Sequence, residues 1–294
     1  KKHELTREDK EQDRIKHVDA CNANTGPIFL TYRGQEDING IIAETMKNKP
    51  VVDFTADDGV IHRVWVIDNE ETIGRLVEDF KKVGNFYIAD GHHRCASAVK
   101  VGLMRREERP DYTGDEEFNY FLSVLFPDEQ LAIMDYNRVV KDLNGLTADA
   151  FIEALEKQFD VEEKGTEPVH PPAKGTFGMF LEGKWYLLTA KEGTYAADDP
   201  VGSLDVAILQ NNILIPILGI EDIRTDKRID FVGGIRGLGE LERRVGEDMK
   251  VAFSMYPTAI SELMAIADAD LLMPPKSTWF EPKLRSGLFI HNLD

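Results

Sequence analysis

The residues whose types best suit chemistry form one short run between a predicted strand and a predicted helix. They are Asp90, Gly91, His92, His93 and Arg94. The strand is predicted over 86–89 and the helix over 92–101, so the run lies at a helix N-terminus, where free N–H groups and the helix dipole attract anions. Gly91 lets the backbone approach a ligand closely, and Arg94 can bind a phosphate through two donors. The pattern predicts a phosphate-binding turn.

Asp90 in this turn could bind Mg²⁺, orient a histidine, or capture a substrate hydroxyl or amine. The alternative is that Asp90 only caps the helix and that the histidines are ordinary surface or core residues. A functional role is favoured over a purely structural one, because polar side chains of three kinds lie between two apolar stretches, 87–89 and 96–99. A zinc site would need more ligands, since His92 and His93 are adjacent and point in different directions on a helix.

A second candidate is the proline-rich segment 273–283, whose prolines fix the backbone. It offers four polar side chains: Lys276, Ser277, Thr278 and Lys283. A rigid loop with these groups suits the binding of phosphate or carboxylate. The segment fits equally well a connector that Trp279 and Phe280 anchor to the core.

Two further features carry weaker signals. Asn137 and Arg138 follow Tyr136 near a predicted strand end, where they could line a cleft or pair with a carboxylate. The glycine-rich segment 231–239 matches neither a Walker loop nor a dinucleotide-binding fingerprint. A turn is the favoured interpretation of that segment.

The composition limits the partners of the chain. It has 294 residues and a formal net charge of −18, so the surface as a whole should repel nucleic acids and anionic membranes. No apolar run approaches the roughly 18 residues of a membrane helix. The two cysteines, Cys21 and Cys95, form no disulfide framework and favour a reducing, cytoplasmic location. A small-molecule substrate is the expected partner, and no feature defines an oligomeric state.

Strands and helices alternate along the chain, which predicts an α/β or α+β fold. This alternation of strands and helices is interrupted near residue 145. The interruption predicts one lobe over 1–145 and a second α+β lobe over 146–294. Within the second lobe, a helix is predicted from Thr147 to 159, a loop over 162–174 and a long, mostly buried helix over 203–218.

Several motifs together resemble the family called domain of unknown function 1015, over essentially the whole chain. They are His3-Glu4, 88–94, 136–138, 204–206, 229–234 and the closing run 273–287. Members of that family usually carry a substantial segment upstream of the His-Glu pair. The resemblance therefore implies that this chain is truncated at its N-terminus.

The Asp-Gly-His-His-Arg run also resembles the phosphate-binding motif of the ParB–sulfiredoxin superfamily, which includes nucleotide-dependent free serine kinases. The resemblance implies a ParB–sulfiredoxin-like nucleotide-binding lobe over 1–145, with ATP or ADP and Mg²⁺ as cofactors. An early glutamate is the base in those kinases, and Glu4 is the matching position. Sulfiredoxin has a cysteine where this chain has His92, which argues against thiol repair. The acidic composition argues against the DNA binding of ParB proteins.

The resulting hypothesis is a nucleotide-dependent phosphotransferase acting on a small hydroxyl substrate such as free L-serine. His92, His93, Arg94 and the amides after Gly91 would hold the donor phosphates. Asp90 would place Mg²⁺ or the substrate, and Lys276 and Lys283 would neutralise negative charge. The alternative is a noncatalytic nucleotide- or metabolite-sensing regulator that uses the same pocket.

Overall fold

The computed structural model describes residues 1–294, which form eight α-helices. Their bounds are α1 Glu8–Cys21, α2 Glu36–Thr45, α3 Glu70–Lys81, α4 His92–Glu108, α5 Ala148–Leu155, α6 Asp205–Leu209, α7 Leu238–Glu247 and α8 Ile260–Asp268. Thr147 caps α5, as the sequence predicts, because its hydroxyl accepts a hydrogen bond from the Ala150 N–H. None of the helices combines the length and apolar character that a membrane crossing requires.

Fifteen strands form five sheets. The strands are β1 Ala23–Asn24, β2 Ile28–Tyr32, β3 Val52–Thr55, β4 Ile61–Val64, β5 Tyr87–Asp90, β6 Ser123–Pro127, β7 Ala132–Met134, β8 Tyr136–Val140, β9 Phe159–Gly165, β10 Thr176–Leu181, β11 Lys184–Ala190, β12 Ile229–Gly233, β13 Val251–Met255, β14 Trp279–Glu281 and β15 His291–Asn292.

A three-stranded sheet in the order β5-β2-β6 leads into α4. Strand β2 is antiparallel to β5 and parallel to β6, and it is buried along most of its length because its residues are almost all apolar. Helix α1 packs on α4 through Ile15, Val18 and Val101, which belong to one buried cluster. This packing holds the middle of α4 against α1.

A six-stranded antiparallel sheet has the order β12-β8-β13-β10-β11-β9. Its strand β10 is buried on both faces, since successive side chains point to opposite sides. Phe177 and Met179 lie in the largest hydrophobic core, whereas Phe180 lies in a second cluster with Leu238 and Leu241 of α7. The sheet is therefore covered by apolar layers on both sides.

The C-terminal part of the chain forms two small two-stranded sheets with strands from the first half of the chain. Strand β14 pairs with β7, and β15 pairs with β1. Between them, the Gly287 N–H donates a hydrogen bond of 3.0 Å to the Thr25 carbonyl. We call residues 279–292 the closing segment, because they cover one side of the region around β1 and α4.

The predicted mixed α/β class is confirmed, with three local differences. Residues 162–165 were predicted as loop but belong to the edge strand β9, where charged side chains face solvent and the backbone pairs with β11. The helix predicted over 203–218 is an α-helix only in α6 and continues as a π-helical turn, Gln210–Leu214. The helix predicted from Thr147 to 159 ends at Leu155, and Phe159 already begins strand β9.

The division at residue 145 stays a prediction. Strand β8 lies before that residue, yet it pairs with β12 and β13 of the six-stranded sheet. The largest hydrophobic core also contains Phe29 and Tyr87 from the three-stranded sheet together with residues of the six-stranded one.

Candidate functional site

The turn from Asp90 to Arg94 has the predicted strand–glycine–helix form. Strand β5 ends at Asp90, Gly91 adopts a left-handed conformation with φ of 92°, and α4 begins at His92. A β-carbon at Gly91 would lie 2.8 Å from Nε of Arg94, so the absence of a side chain lets the guanidinium fold back over the turn. The sequence requires glycine here for two separate reasons, backbone conformation and space.

A pocket of about 340 Å³ lies beside this turn. That volume falls within the range of roughly 300–1,000 Å³ that is usual for small-molecule sites. The pocket is lined by the cations Lys10, Arg14 and Arg94, and by His17 and His93. Asp90 is the only carboxylate among its lining residues. A chain with a net charge of −18 thus contains a cationic pocket at a helix N-terminus, which suits an anionic ligand.

Helix α1 supplies part of this lining, which the sequence analysis did not predict. Lys10, Arg14 and His17 are spaced by four and three residues, so they share one face of the helix. Nε2 of His17 lies 3.0 Å from the Thr25 hydroxyl, which ties this face to the loop before β2. The spacing was the available signal, but a charged helix face is usually only solvated.

His92 and His93 point in different directions, as predicted. Nε2 of His93 accepts a hydrogen bond of 3.0 Å from the Arg7 N–H, and the ring lines the pocket. His92 is buried on the other side, where its ring meets that of His3 edge-on with the centroids 4.5 Å apart. The two neighbours therefore serve separate regions of the site.

His3, Glu4 and His92 form a compact cluster in which one potential ligand atom from each side chain lies within 4.8 Å of the other two. His3 is only 2% exposed, and neither ring nitrogen makes a hydrogen bond of normal geometry, with only a weak contact to the Ile88 backbone. Burial lowers the pKa of His3 to about 3, with a further contribution from His92, and burial lowers the pKa of His92 to about 4. Both rings are therefore neutral at pH 7. His3 was not predicted as a site residue, because nothing local connects positions that are 89 residues apart.

Glu4 is partly buried and lies in the electric field of two charged groups. Burial raises the pKa of its carboxyl group, the positive charge of Lys276 lowers it, and the negative charge of Asp90 raises it further. The structure thus brings three predicted site residues near one another: Glu4, Asp90 and Lys276.

The segment 273–283 also contributes Lys283 to this region. Its Nζ donates a hydrogen bond of 3.3 Å to Oδ2 of Asp90 and lies 4.9 Å from the centre of the Trp279 ring. Ser277 is buried, and its hydroxyl donates to the Pro274 carbonyl at 2.6 Å. Thr278 is half-buried beside it. The segment is therefore both a rigid turn and a source of charge near Asp90.

Asn137 and Arg138 are buried in β8 and do not line the pocket. Oδ1 of Asn137 accepts the Met255 N–H at 2.9 Å. The Arg138 guanidinium donates to the Lys276 carbonyl at 2.9 Å and also to the Tyr136 carbonyl. These contacts hold the backbone at Lys276 in place. Substrate binding by Asn137 or Arg138 stays a prediction.

The family of the chain follows from a direct match. Residues 1–207 match the family described as protein of unknown function, DUF1015. Because this match covers well over half of the chain, the chain belongs to that family, as its motifs indicate. No match was found among curated proteins.

Solved structures of similar fold include a free serine kinase in complex with AMP, with 13% identity, a TM-score of 0.46, and coverage of 97% of this chain and 87% of that one. They also include SbnI with a C-terminal truncation from Staphylococcus aureus, with 12% identity, a TM-score of 0.49, and coverage of 99% and 82%. A conserved hypothetical protein from Pyrococcus furiosus has 15% identity, a TM-score of 0.42, and coverage of 97% and 90%. With TM-scores below 0.5, these likenesses carry no argument about activity.

Proposed function

We propose that the chain is a nucleotide-dependent phosphotransferase that acts on a small hydroxyl substrate, with free L-serine as the first candidate. One observation carries this proposal. A cationic pocket lies at the N-terminus of α4, and Asp90, which lines it, is close enough to the partly buried Glu4 to raise the pKa of the Glu4 carboxyl group. Phosphoryl transfer needs these two parts, a site that holds the donor phosphates and a base that receives the proton of the acceptor.

The donor is ATP or ADP. Its phosphates would bind to the backbone N–H groups that follow Gly91, to Arg94 and to His93, with Lys10 and Arg14 of α1 adding positive charge. These cations offset the net negative charge of the chain, which would otherwise repel an anionic nucleotide.

In the transfer, one bond to phosphorus forms and one breaks. The oxygen of the substrate hydroxyl forms a bond to the terminal phosphorus while the bond from that phosphorus to the leaving nucleotide oxygen breaks. The hydroxyl proton passes to Glu4, and burial suits this carboxylate to the task because it raises the pKa of Glu4 above its ordinary value. Lys276 and Lys283 would stabilise the negative charge on the phosphoryl group or on the substrate carboxylate. His92, which lies beside Glu4 and not in the pocket, would keep that carboxylate in position.

Mg²⁺ would accompany the nucleotide, and Asp90 is the residue that fits it. Mg²⁺ in nucleotide sites is usually held by one or two carboxylates together with phosphate oxygens and water. Asp90 is the only carboxylate of the pocket lining and points at the same region as Gly91. Its hydrogen bond to Lys283 is long, at 3.3 Å, and would be exchanged for the ion.

Phosphorus NMR of the purified protein with Mg²⁺, L-serine and ATP, ADP or CTP tests the proposal. We expect phosphoserine to form with one adenine nucleotide and to be absent in Glu4→Gln, which should still bind the nucleotide. Nucleotide binding without any phosphorylated product, in wild type and variant alike, would favour the sensing regulator. No nucleotide binding at all would contradict both.

Arg94→Ala should abolish nucleotide binding, since Arg94 covers the turn and lines the pocket. Arg243→Ala is the matched control. It removes the same charge from α7, where Arg243 only pairs with Glu240 and Glu247 on the surface. Equal nucleotide affinity in Arg94→Ala and Arg243→Ala would remove Arg94 from the site.

A further inference from the structure

His3 is an unusual buried side chain. It is 2% exposed, and both ring nitrogens lack a hydrogen-bond partner. Buried polar groups almost always have a partner, because leaving one unsatisfied costs about 1–3 kcal/mol. Nε2 of the neighbouring His92 receives only a long contact of 3.5 Å from the His3 N–H. Lone pairs on two buried imidazoles are thus free or nearly free at one place.

The carboxylate of Glu4 completes this group, with all ligand atoms within 4.8 Å of one another. Two imidazoles and one carboxylate are typical ligands of zinc and of other first-row transition metals, whereas Mg²⁺ and Ca²⁺ prefer oxygen alone. Ligand bonds of about 2.1 Å would place tetrahedral ligand atoms about 3.4 Å apart. The three side chains would therefore need to approach one another by about 1.4 Å at most, which rotation about their side-chain bonds can provide.

We propose that His3, Glu4 and His92 bind a divalent first-row transition-metal ion, for which Zn²⁺ is the probe. Three protein ligands leave a fourth position of a tetrahedral ion open to water or to a ligand. The ion would also supply what the structure otherwise lacks at His3, a partner for a buried nitrogen.

This metal site goes beyond phosphoryl transfer and does not depend on it. A carboxylate has two oxygens, so Glu4 can bind an ion through one oxygen and still receive a proton on the other. The ligands also differ from those proposed for Mg²⁺, because Asp90 lines the pocket and is not one of the three side chains of this cluster. Zinc binding is measured without nucleotide or serine, so failure of either proposal leaves the other testable.

The experiment uses the full chain after removal of metals with a chelator, followed by titration with Zn²⁺ against a chromophoric competitor. We expect one Zn²⁺ per chain. Loss of an outer-shell partner already weakens metal sites by 10–100-fold, so removal of a direct ligand in His3→Gln or His92→Gln should weaken binding by at least tenfold. His170→Gln is the matched control, since His170 is exposed in a loop of the other half of the chain, and it should bind as wild type does.

X-ray absorption of the zinc-loaded wild type keeps the proposal falsifiable if a variant does not fold. We expect two imidazole ligands and one or two oxygens around the ion. Sulfur in the first coordination shell would place the ion elsewhere, for example at Cys21 beside His17, and would overturn the proposal. Absence of stoichiometric zinc binding, or equal affinity in His3→Gln and His170→Gln, would overturn it as well.

Discussion

Asn137 and Arg138 in the six-stranded sheet are buried polar side chains with hydrogen-bond partners, whereas the buried His3 near the start of α4 makes no well-formed hydrogen bond through its ring. In the sheet, Arg138 and Asn137 are at most 1% exposed, and both make several hydrogen bonds to backbone or side-chain groups. Near α4, His3 is as deeply buried but has no partner at either ring nitrogen. Burial with partners builds a rigid framework, whereas burial without partners is expected where a ligand supplies the missing bonds.

The six-stranded sheet thus positions the residues of the site and does not itself supply reacting groups. Arg138 connects the two regions, because its guanidinium holds the carbonyl of Lys276, whose side chain lies in the electric field of Glu4. The comparison predicts that changes in the sheet alter mainly stability and that changes near α4 alter mainly binding.

The largest effect is expected for Arg138→Ala. The substitution leaves a cavity in the core and removes the donors of two backbone carbonyls, so we expect a loss of about 3–5 kcal/mol in the free energy of unfolding. Urea denaturation measures it. Arg236→Ala is the control, because Arg236 is 65% exposed and its removal should change stability by at most about 0.5 kcal/mol. Similar losses in the two variants would contradict the supporting role of Arg138.

Asp205 provides a second test of the comparison. Its carboxylate is buried and accepts a hydrogen bond of 2.6 Å from the Gly175 N–H. Burial raises the pKa of Asp205 to about 6, against an ordinary value of 3.8. The folded protein therefore holds this proton more tightly than the unfolded chain. The stabilising effect of protonation is complete below pH 3.8 and is lost as the pH rises to 6. At about 1.4 kcal/mol per pKa unit, the loss is about 3 kcal/mol.

Asp205→Asn has no such proton to lose. Relative to wild type, its free energy of unfolding should therefore increase by about 2.4 kcal/mol between pH 4 and pH 7. Urea denaturation of both proteins across this range gives the difference, in which the titration of all other groups cancels. A difference that does not vary with pH would show that the Gly175 hydrogen bond compensates fully for burial.

A smaller effect is expected at the turn itself. Gly91→Ala places a β-carbon in a left-handed conformation, which costs about 1–2 kcal/mol, and pushes Nε of Arg94 away from the turn. Thermal unfolding should reveal the modest destabilisation, and nucleotide titration should reveal a larger relative loss of binding. Full retention of nucleotide affinity in a folded Gly91→Ala protein would show that the conformation of the turn does not contribute to nucleotide binding.

The smallest change in stability is expected for His3→Leu. The substitution removes a buried polar group without a partner, so the metal-free protein should be as stable as wild type or more stable by about 1 kcal/mol. Urea denaturation in the presence of a chelator measures this difference. A loss above about 2 kcal/mol would mean that His3 is a supporting residue like Arg138, and the comparison between the two regions would fail.

The sequence predicts those parts of the site that depend on neighbours in the chain. Strand β5, the glycine turn and the start of α4 follow from an apolar stretch, Gly91 and a helical pattern within about a dozen residues. The opposite directions of His92 and His93 follow from helix geometry alone. The predicted phosphate-binding turn therefore has the expected form, although its ligand stays a prediction.

The parts that were missed depend on contacts between distant segments. The His3–His92 contact joins positions 89 residues apart, and the cationic face of α1 becomes part of a pocket only when α1 packs on α4. Strand β9 was taken for a loop because its charged residues give no apolar alternation, and only pairing with β11 makes it a strand. Local pattern cannot contain this information.

The pocket is complete only after the closing segment has been synthesised. Ser286 lines the pocket opposite Gly26, and a β-carbon on Gly26 would lie 3.1 Å from its hydroxyl. About 260 residues separate Gly26 from Ser286. A ribosome that adds about 5–20 residues per second therefore synthesises Ser286 roughly 13–50 s after Gly26. Until then, the cationic face of α1 stays uncovered on this side, and a chain that terminates before residue 286 has an unfinished pocket.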